Sequence, residues 1–314
     1  MSYSHKSLPL LFLYFLSSSS LLVLNKIAIS AIPNAALLLF VQLLSTVLIV
    51  LVKDFLEKQK TTFIPSLQYV RAYASVAFVF LATIYSNFHV IHAIGVNSFI
   101  VLRCSTPLMV SVLDWLFMGR TLPQPSSLFA LVGIAVSASM YAHLKFLDPS
   151  ATRTTDEARV LTHGLCWSVL WTVSFLLDMV YIKFIIEAYP CSNSERTIYQ
   201  NFLALPFLLV LMAMQTEAKW GDVVLNATPR AYLAVISTCI AGAVLSFTGM
   251  SLRSEYSATF FTVLGIICKM ASTLLNELFV EPEGDVFRLL CIAAVILSSA
   301  FYRQAPLKCS TASV

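Results

Sequence analysis

YSATFFTVLGIICKMASTLLNELFV, residues 256–280, is the stretch on which the fold turns. It is long and apolar enough to cross a bilayer as a helix. Near its middle stands Lys269. An ammonium at the bilayer centre costs about 3 kcal/mol on insertion scales, a cost relieved where the lysine faces a wet cavity that holds an anion. At helical spacing Phe261, Gly265, Lys269, Ser272 and Asn276 share one face. The remaining faces are Val, Leu, Ile and Met. The helix thus has a polar, cationic stripe and an apolar back. Two readings are open: a lysine paired with Glu277 or snorkelling to the interface, and a phosphate-binding lysine on a transport pathway.

The whole chain agrees with a membrane reading. Of its 314 residues, 58% are hydrophobic and only 11% charged, and the mean hydropathy is +0.82. Soluble domains carry about 25% charge, so the composition implies an all-α polytopic membrane protein with the lipid bilayer as its surroundings. The net charge of +4 is modest, and no basic patch suggests a nucleic-acid partner. The seven cysteines, at 104, 166, 191, 239, 268, 291 and 309, show neither a disulfide framework nor zinc spacing. His89, His92, His143 and His163 share no ligand spacing and read as ordinary hydrogen-bonding residues. With no nucleophile elbow, P-loop or paired catalytic carboxylates, neither enzyme activity nor a cofactor is expected.

Apolar windows of about 20 residues predict ten crossings, at 8–30, 34–52, 68–91, 96–118, 125–146, 160–184, 196–215, 229–252, 257–280 and 285–303. They form a single transporter domain over 1–314, with halves near 1–150 and 151–314. An even number of crossings puts both termini on one side. Eleven of the twenty Lys and Arg residues fall on that side and seven on the other, with Arg103 and Lys269 inside crossings. That bias predicts cytosolic termini. The triplet Asn226-Ala-Thr228 then lies in the lumen, hard against Pro229. Asp114-Trp-Leu-Phe117 and Asn276-Glu-Leu-Phe279 end the fourth and ninth crossings, each after a helix with a mid-span cation. Five crossings separate them, and five is odd, so the repeats would be inverted. Inverted repeats place a site near the midplane.

Arg103 and Lys269 are the two deepest cations, one in each half. Phosphates suit that pairing of a planar fork with a point charge. The alternative for Arg103 is an ion pair with Asp114, about three turns along the same helix and too far for direct contact. Tyr199-Gln200-Asn201 opens the seventh crossing. Side-chain amides carry donors and an acceptor and can read a base edge, although amides at a helix start also serve as caps. Tyr14 precedes the serines at 17–20, small residues that allow close helix packing. It is either a cavity residue or an interfacial anchor. Arg253 and Glu255 read as a solvated cap between the eighth and ninth crossings.

These residues resemble those of the nucleotide-sugar transporters, within the drug/metabolite transporter superfamily. The likeness is greatest to the GDP-mannose and plant Golgi GDP-sugar branch. Yeast-type members carry FYNN followed by LALP; Ile198-Tyr199-Gln200-Asn201 is followed here by Leu203-Ala-Leu-Pro206. Their GALNK is matched by Gly265-Ile-Ile-Cys-Lys269. The plant segment SATGFTVLGIVNK is similar to residues 257–269 throughout. Residues 96–103, 178–183 and 23–26 also look like plant members. The resemblance implies ten helices, cytosolic termini, a Golgi address, and exchange of a cytosolic GDP-sugar for luminal GMP. It implies that Gln200 and Asn201 read the base, Gly265 and Lys269 hold the diphosphate, and Tyr14 lines the sugar end. Glutamine replaces the first amide, Cys268 replaces the motif's asparagine, and Phe261 stands where yeast-type members have tyrosine. A UDP-sugar or sugar-phosphate antiporter is an alternative, as is a non-transporting scaffold of the same fold. The sequence leaves a homodimer open.

Overall fold

The computed structural model describes residues 7–31, 34–57, 66–146, 157–214, 228–275 and 286–308. Its elements are helices: α1 (Ser7–Ala31), α2 (Ala35–Leu56), α3 (Leu67–Phe117), α4 (Pro125–Phe146), α5 (Glu157–Ala188), α6 (Asn193–Met214), α7 (Pro229–Glu255), α8 (Ala258–Leu275) and α9 (Val286–Ala300). Seven segments are long and apolar enough to cross a membrane: Leu8–Ile29, Ala35–Leu56, Leu67–Ile91, Ser98–Phe117, Thr162–Ala188, Asn193–Ala213 and Pro229–Glu255. Three shorter apolar helices accompany them, Pro125–Tyr141, Ala258–Leu274 and Val286–Ala300. Large apolar side chains stand on the outer faces, among them Phe129 at 78% exposed and Leu233 at 65%. Helices satisfy their own backbone groups and so tolerate lipid. The chain is an all-α polytopic membrane protein.

The third and fourth crossings, expected at 68–91 and 96–118, are two apolar segments, Leu67–Ile91 and Ser98–Phe117, of one helix, α3. Helical structure runs unbroken from Leu67 to Phe117. The intervening Ile91-His-Ala-Ile-Gly-Val-Asn97 contains no proline, and a single glycine costs a helix only about 1 kcal/mol. Pro107 lies inside α3 and cannot donate to the carbonyl of Arg103, four residues back. The Thr106 hydroxyl donates to that carbonyl at 2.6 Å, so the freed acceptor is satisfied. Asn276, Glu277 and Asn226 lie outside the described residues. So do the 276–279 half of the expected repeat and the Lys269–Glu277 pair.

The chain forms two compact units that interleave in sequence. The first comprises residues 1–81 and 185–255; the second comprises 82–184 and 256–314. In the first, α1 packs on α7, and α2 packs on α6 and α7. Ser17, Ser18 and Ser19 are buried, as close approach of a small-residue face requires. Leu43, Ala77, Leu81, Ala204, Leu205 and Leu208 form a core around α6. Two local caps start these helices. The Asn34 side chain accepts from Leu37 N at 2.9 Å. Ser192 and Glu195 form a reciprocal capping box for α6, with Glu195 N donating to Ser192 Oγ at 3.2 Å and Ser192 N to Glu195 Oε2 at 2.8 Å.

In the second unit, α9 packs on α4 and α8 over a core that includes Leu131, Ile134, Ile266, Met270, Ile292 and Val295. Gly133 permits the α4–α9 approach: a Cβ there would lie 2.9 Å from Ser298 Oγ. The chain after α9 folds back along the α3–α4 turn. Arg120 pairs with Leu307 in an isolated antiparallel bridge, and Arg120 Nη1 donates to Ala305 O at 2.8 Å. Gly119 takes a φ of 61° in that turn, a conformation that suits glycine.

Candidate functional site

The sequence-predicted residues divide between the units. Tyr14, Tyr199, Gln200 and Asn201 belong to the first; Arg103, Phe261, Gly265 and Lys269 belong to the second. Each group is described within its own unit.

In the first unit the amides sit on α6 about two turns from its capping box. Asn201 is 3% exposed. Its Nδ2 donates to Thr197 O at 2.7 Å and to Ser246 Oγ on α7 at 2.8 Å. Both amide hydrogens are therefore committed, and Oδ1 is the part left for a further partner, as an acceptor. Gln200 is 7% exposed, and its amide makes no hydrogen bond among the described residues. An amide with free donors and a free acceptor can meet a ligand's polar edge. Tyr199 is occupied differently: its ring stacks on Tyr73 at 5.3 Å and on Tyr69 at 6.3 Å. Tyr69 donates to Pro190 O at 3.2 Å. These rings brace the start of α6. Tyr14 is buried in α1, one turn before the packed serines.

Ser246 escaped the sequence reading. Nothing in its local pattern marks it, because serines are common in α7 and the bond to Asn201 spans 45 residues. Only the packing of α6 against α7 reveals it.

In the second unit, Lys269 and Gly265 are half-buried on α8, while Phe261, Cys268 and Ser272 are buried. A Cβ on Gly265 would meet nothing within 4 Å, so this face of α8 borders open space one turn from the lysine. Cys268 is 0% exposed, so the replacement of the motif's asparagine falls on the packed side. Arg103 on α3 belongs to the same unit. The Arg103 guanidinium also sits over the Phe175 ring, 5.8 Å from its centre, and Phe175 stacks on Trp171. Among the described residues Lys269 has no ion-pair partner. Asp114, the alternative partner weighed for Arg103, accepts from Thr259 N and Oγ1. Cations at such positions suit an anion. Two of the histidines take ordinary roles: His163 Nε2 accepts from Trp167 Nε1 at 2.9 Å, and His89 stacks on the same indole at 4.1 Å. No group of metal-ligating side chains occurs among the described residues.

Fold and residues together define a multi-pass membrane protein with buried amides on α6 and cations within α3 and α8. No protein-family model matches the chain. It is similar to GDP-fucose transporter 1 of Arabidopsis thaliana, 28% identical over 300 residues, covering 93% of this chain and 83% of that protein. A GDP-mannose transporter of the same plant is 25% identical over 303 residues, covering 94% of this chain and 77% of its own. A protein of known crystal structure matches 95% of this chain and 96% of its own with a TM-score of 0.68. At 13% identity that is a likeness of fold alone. The resemblance to plant GDP-sugar transporters, first read from short motifs, extends over nearly the whole chain.

Proposed function

We propose that the protein is a Golgi antiporter that carries a GDP-sugar into the lumen in exchange for GMP. The observation that carries this reading is Lys269 half-buried on α8, with no ion-pair partner among the described residues, open space one turn away at Gly265, and Arg103 in the same unit. A nucleoside diphosphate cannot cross hydrocarbon unaided. It needs fixed positive charge at membrane depth, and that charge must be released to either side in turn. Returning GMP on the same cations resets the carrier. Two inverted repeats of five crossings, rocking about a midplane site with both termini cytosolic, would provide alternating access.

The amides support guanine. Asn201 offers only Oδ1, an acceptor, which suits the N1–H and N2–H₂ donors of guanine. Gln200 retains its donor hydrogens, which suit guanine O6. Uracil presents a similar acceptor and donor but lacks the N2–H₂ group, so it leaves one contact unmade. Sites built on such hydrogen bonds reject analogues that lack them. Counterflow in liposomes tests the reading: GMP should compete with GDP-mannose uptake at least about tenfold better than UMP or CMP, roughly 1.4 kcal/mol. Equal competition by UMP would remove the guanine assignment. An absence of exchange by folded protein would remove the antiporter.

A further inference from the structure

One arrangement occurs in both units, at the start of two of the helices that carry candidate ligand-binding residues, α6 and α8. In the first unit Asp54, at the end of α2, is 0% exposed. Its Oδ1 accepts from Ser194 Oγ at 2.8 Å, at the second residue of α6. In the second unit Asp114, near the end of α3, is 3% exposed. Its Oδ2 accepts from Thr259 N at 2.9 Å and from Thr259 Oγ1 at 2.6 Å, at the second residue of α8. Each carboxylate keeps its other oxygen buried without a partner among the described residues, Oδ2 in Asp54 and Oδ1 in Asp114. Lys53 Nζ stands 3.7 Å from Asp54 Oδ1.

The sequence around each member repeats as well. Val52-Lys-Asp54-Phe-Leu56 and Val112-Leu-Asp114-Trp-Leu116 share valine, aspartate, an aromatic residue and leucine in register. Ser192-Asn-Ser194 and Ser257-Ala-Thr259 share a capping serine and a hydroxyl two residues on. Both serines cap: Ser192 Oγ accepts from Glu195 N at 3.2 Å, and Ser257 Oγ from Phe260 N at 3.1 Å. A buried carboxylate is costly, and a helix N-terminus is a favourable place for one. The same costly contact formed twice, from different helices, holds a specific helix orientation as well as adding stability.

We propose that Asp54 and Asp114 are positioning residues. Asp54 fixes the rotation of α6, and so the aim of Gln200 and Asn201. Asp114 fixes the rotation of α8, and so the aim of Gly265 and Lys269. Gln200 lies six residues beyond Ser194, and Gly265 six beyond Thr259, about 9 Å along each helix axis. At that range a small rotation at the anchored end displaces the ligand-facing atoms. The assignment of what each helix presents rests on the function proposed above.

The two anchors make separable predictions for purified full-length protein in liposomes, with GMP and UMP as competing probes against GDP-mannose. Asp54→Ala should shrink the GMP-over-UMP preference several-fold, because it turns the amides. Asp114→Ala should weaken both nucleotides together by about tenfold and leave their ratio intact, because it turns the cation face. Asp54→Asn and Asp114→Asn keep an acceptor oxygen and should lie close to wild type. Ser194→Ala and Thr259→Ala give milder versions should an aspartate variant fail to fold. Hydrogen exchange supplies a readout independent of transport: amides near 194–198 should exchange faster only when the first anchor is lost, and those near 259–263 only when the second is. Exchange that quickens as expected while neither preference nor affinity moves would overturn the positioning role. Identical losses for both nucleotides from both anchors would do the same. A wild-type protein without guanine preference would defeat the guanine reading alone, because the shared loss in Asp114→Ala and the two exchange patterns still decide the anchors.

Discussion

The two units meet the same problem, polar chemistry inside a membrane protein, with opposite materials. The first uses neutral amides, and Asn201 is locked by two hydrogen bonds to Thr197 and Ser246. The second uses charge: Lys269 and Arg103, the lysine without an ion-pair partner among the described residues. An amide recognises a pattern of donors and acceptors and is insensitive to total charge. A cation pair attracts any phosphate and is indifferent to the base. On the function proposed above, selectivity and anion affinity would be carried on separate helices, and mutations should separate them.

The largest expected effect is on the cationic side. Lys269→Ala should abolish exchange, a loss of at least about a hundredfold, while the protein stays folded, since the change removes a costly intramembrane ammonium. Lys269→Arg should rescue poorly, because a fork and a point charge differ in shape. Proteoliposome uptake together with a melting curve reads both. Normal exchange by folded Lys269→Ala would break the comparison on its charged side. Arg103→Ala comes next, with uptake of every nucleotide reduced by about tenfold at unchanged base preference.

On the amide side the effects are smaller and appear as ratios. Asn201→Ala should bring the GMP-over-UMP preference down from about tenfold towards unity. Ser246→Ala should move it the same way by about threefold, because one of the two bonds holding Nδ2 is lost. An unchanged ratio in Asn201→Ala would put base recognition elsewhere. The smallest effect is at Cys268, whose thiol is buried on the packed side of α8. Cys268→Ala should alter neither ratio nor rate by more than about twofold, since a thiol is a weak hydrogen-bonding group.

Membrane crossings were legible because bilayer thickness imposes a long apolar run. The same averaging that finds such runs hides their ends. It began the seventh crossing at 196, although Ser192 and Glu195 cap a helix starting at Asn193. That capping box was present in the sequence as Ser-Asn-Ser-Glu. Lys269 was legible because a charge within an apolar run demands a reason. The packed side of Cys268 was not, since it stands between residues of both faces and only contacts decide. Ser246 and the two aspartate anchors were illegible for another reason: their partners lie 45, 140 and 145 residues away. No local pattern predicts which hydroxyl a buried carboxylate will meet.

Competition for GDP-mannose uptake, measured side by side in wild-type and Lys269→Ala proteoliposomes with GMP, UMP and CMP, tests the central claim most directly. Wild-type protein should exchange, with GMP the strongest competitor by at least about tenfold, and Lys269→Ala should exchange nothing while remaining folded. Exchange that survives the loss of Lys269, with the same order of competitors, would contradict the account.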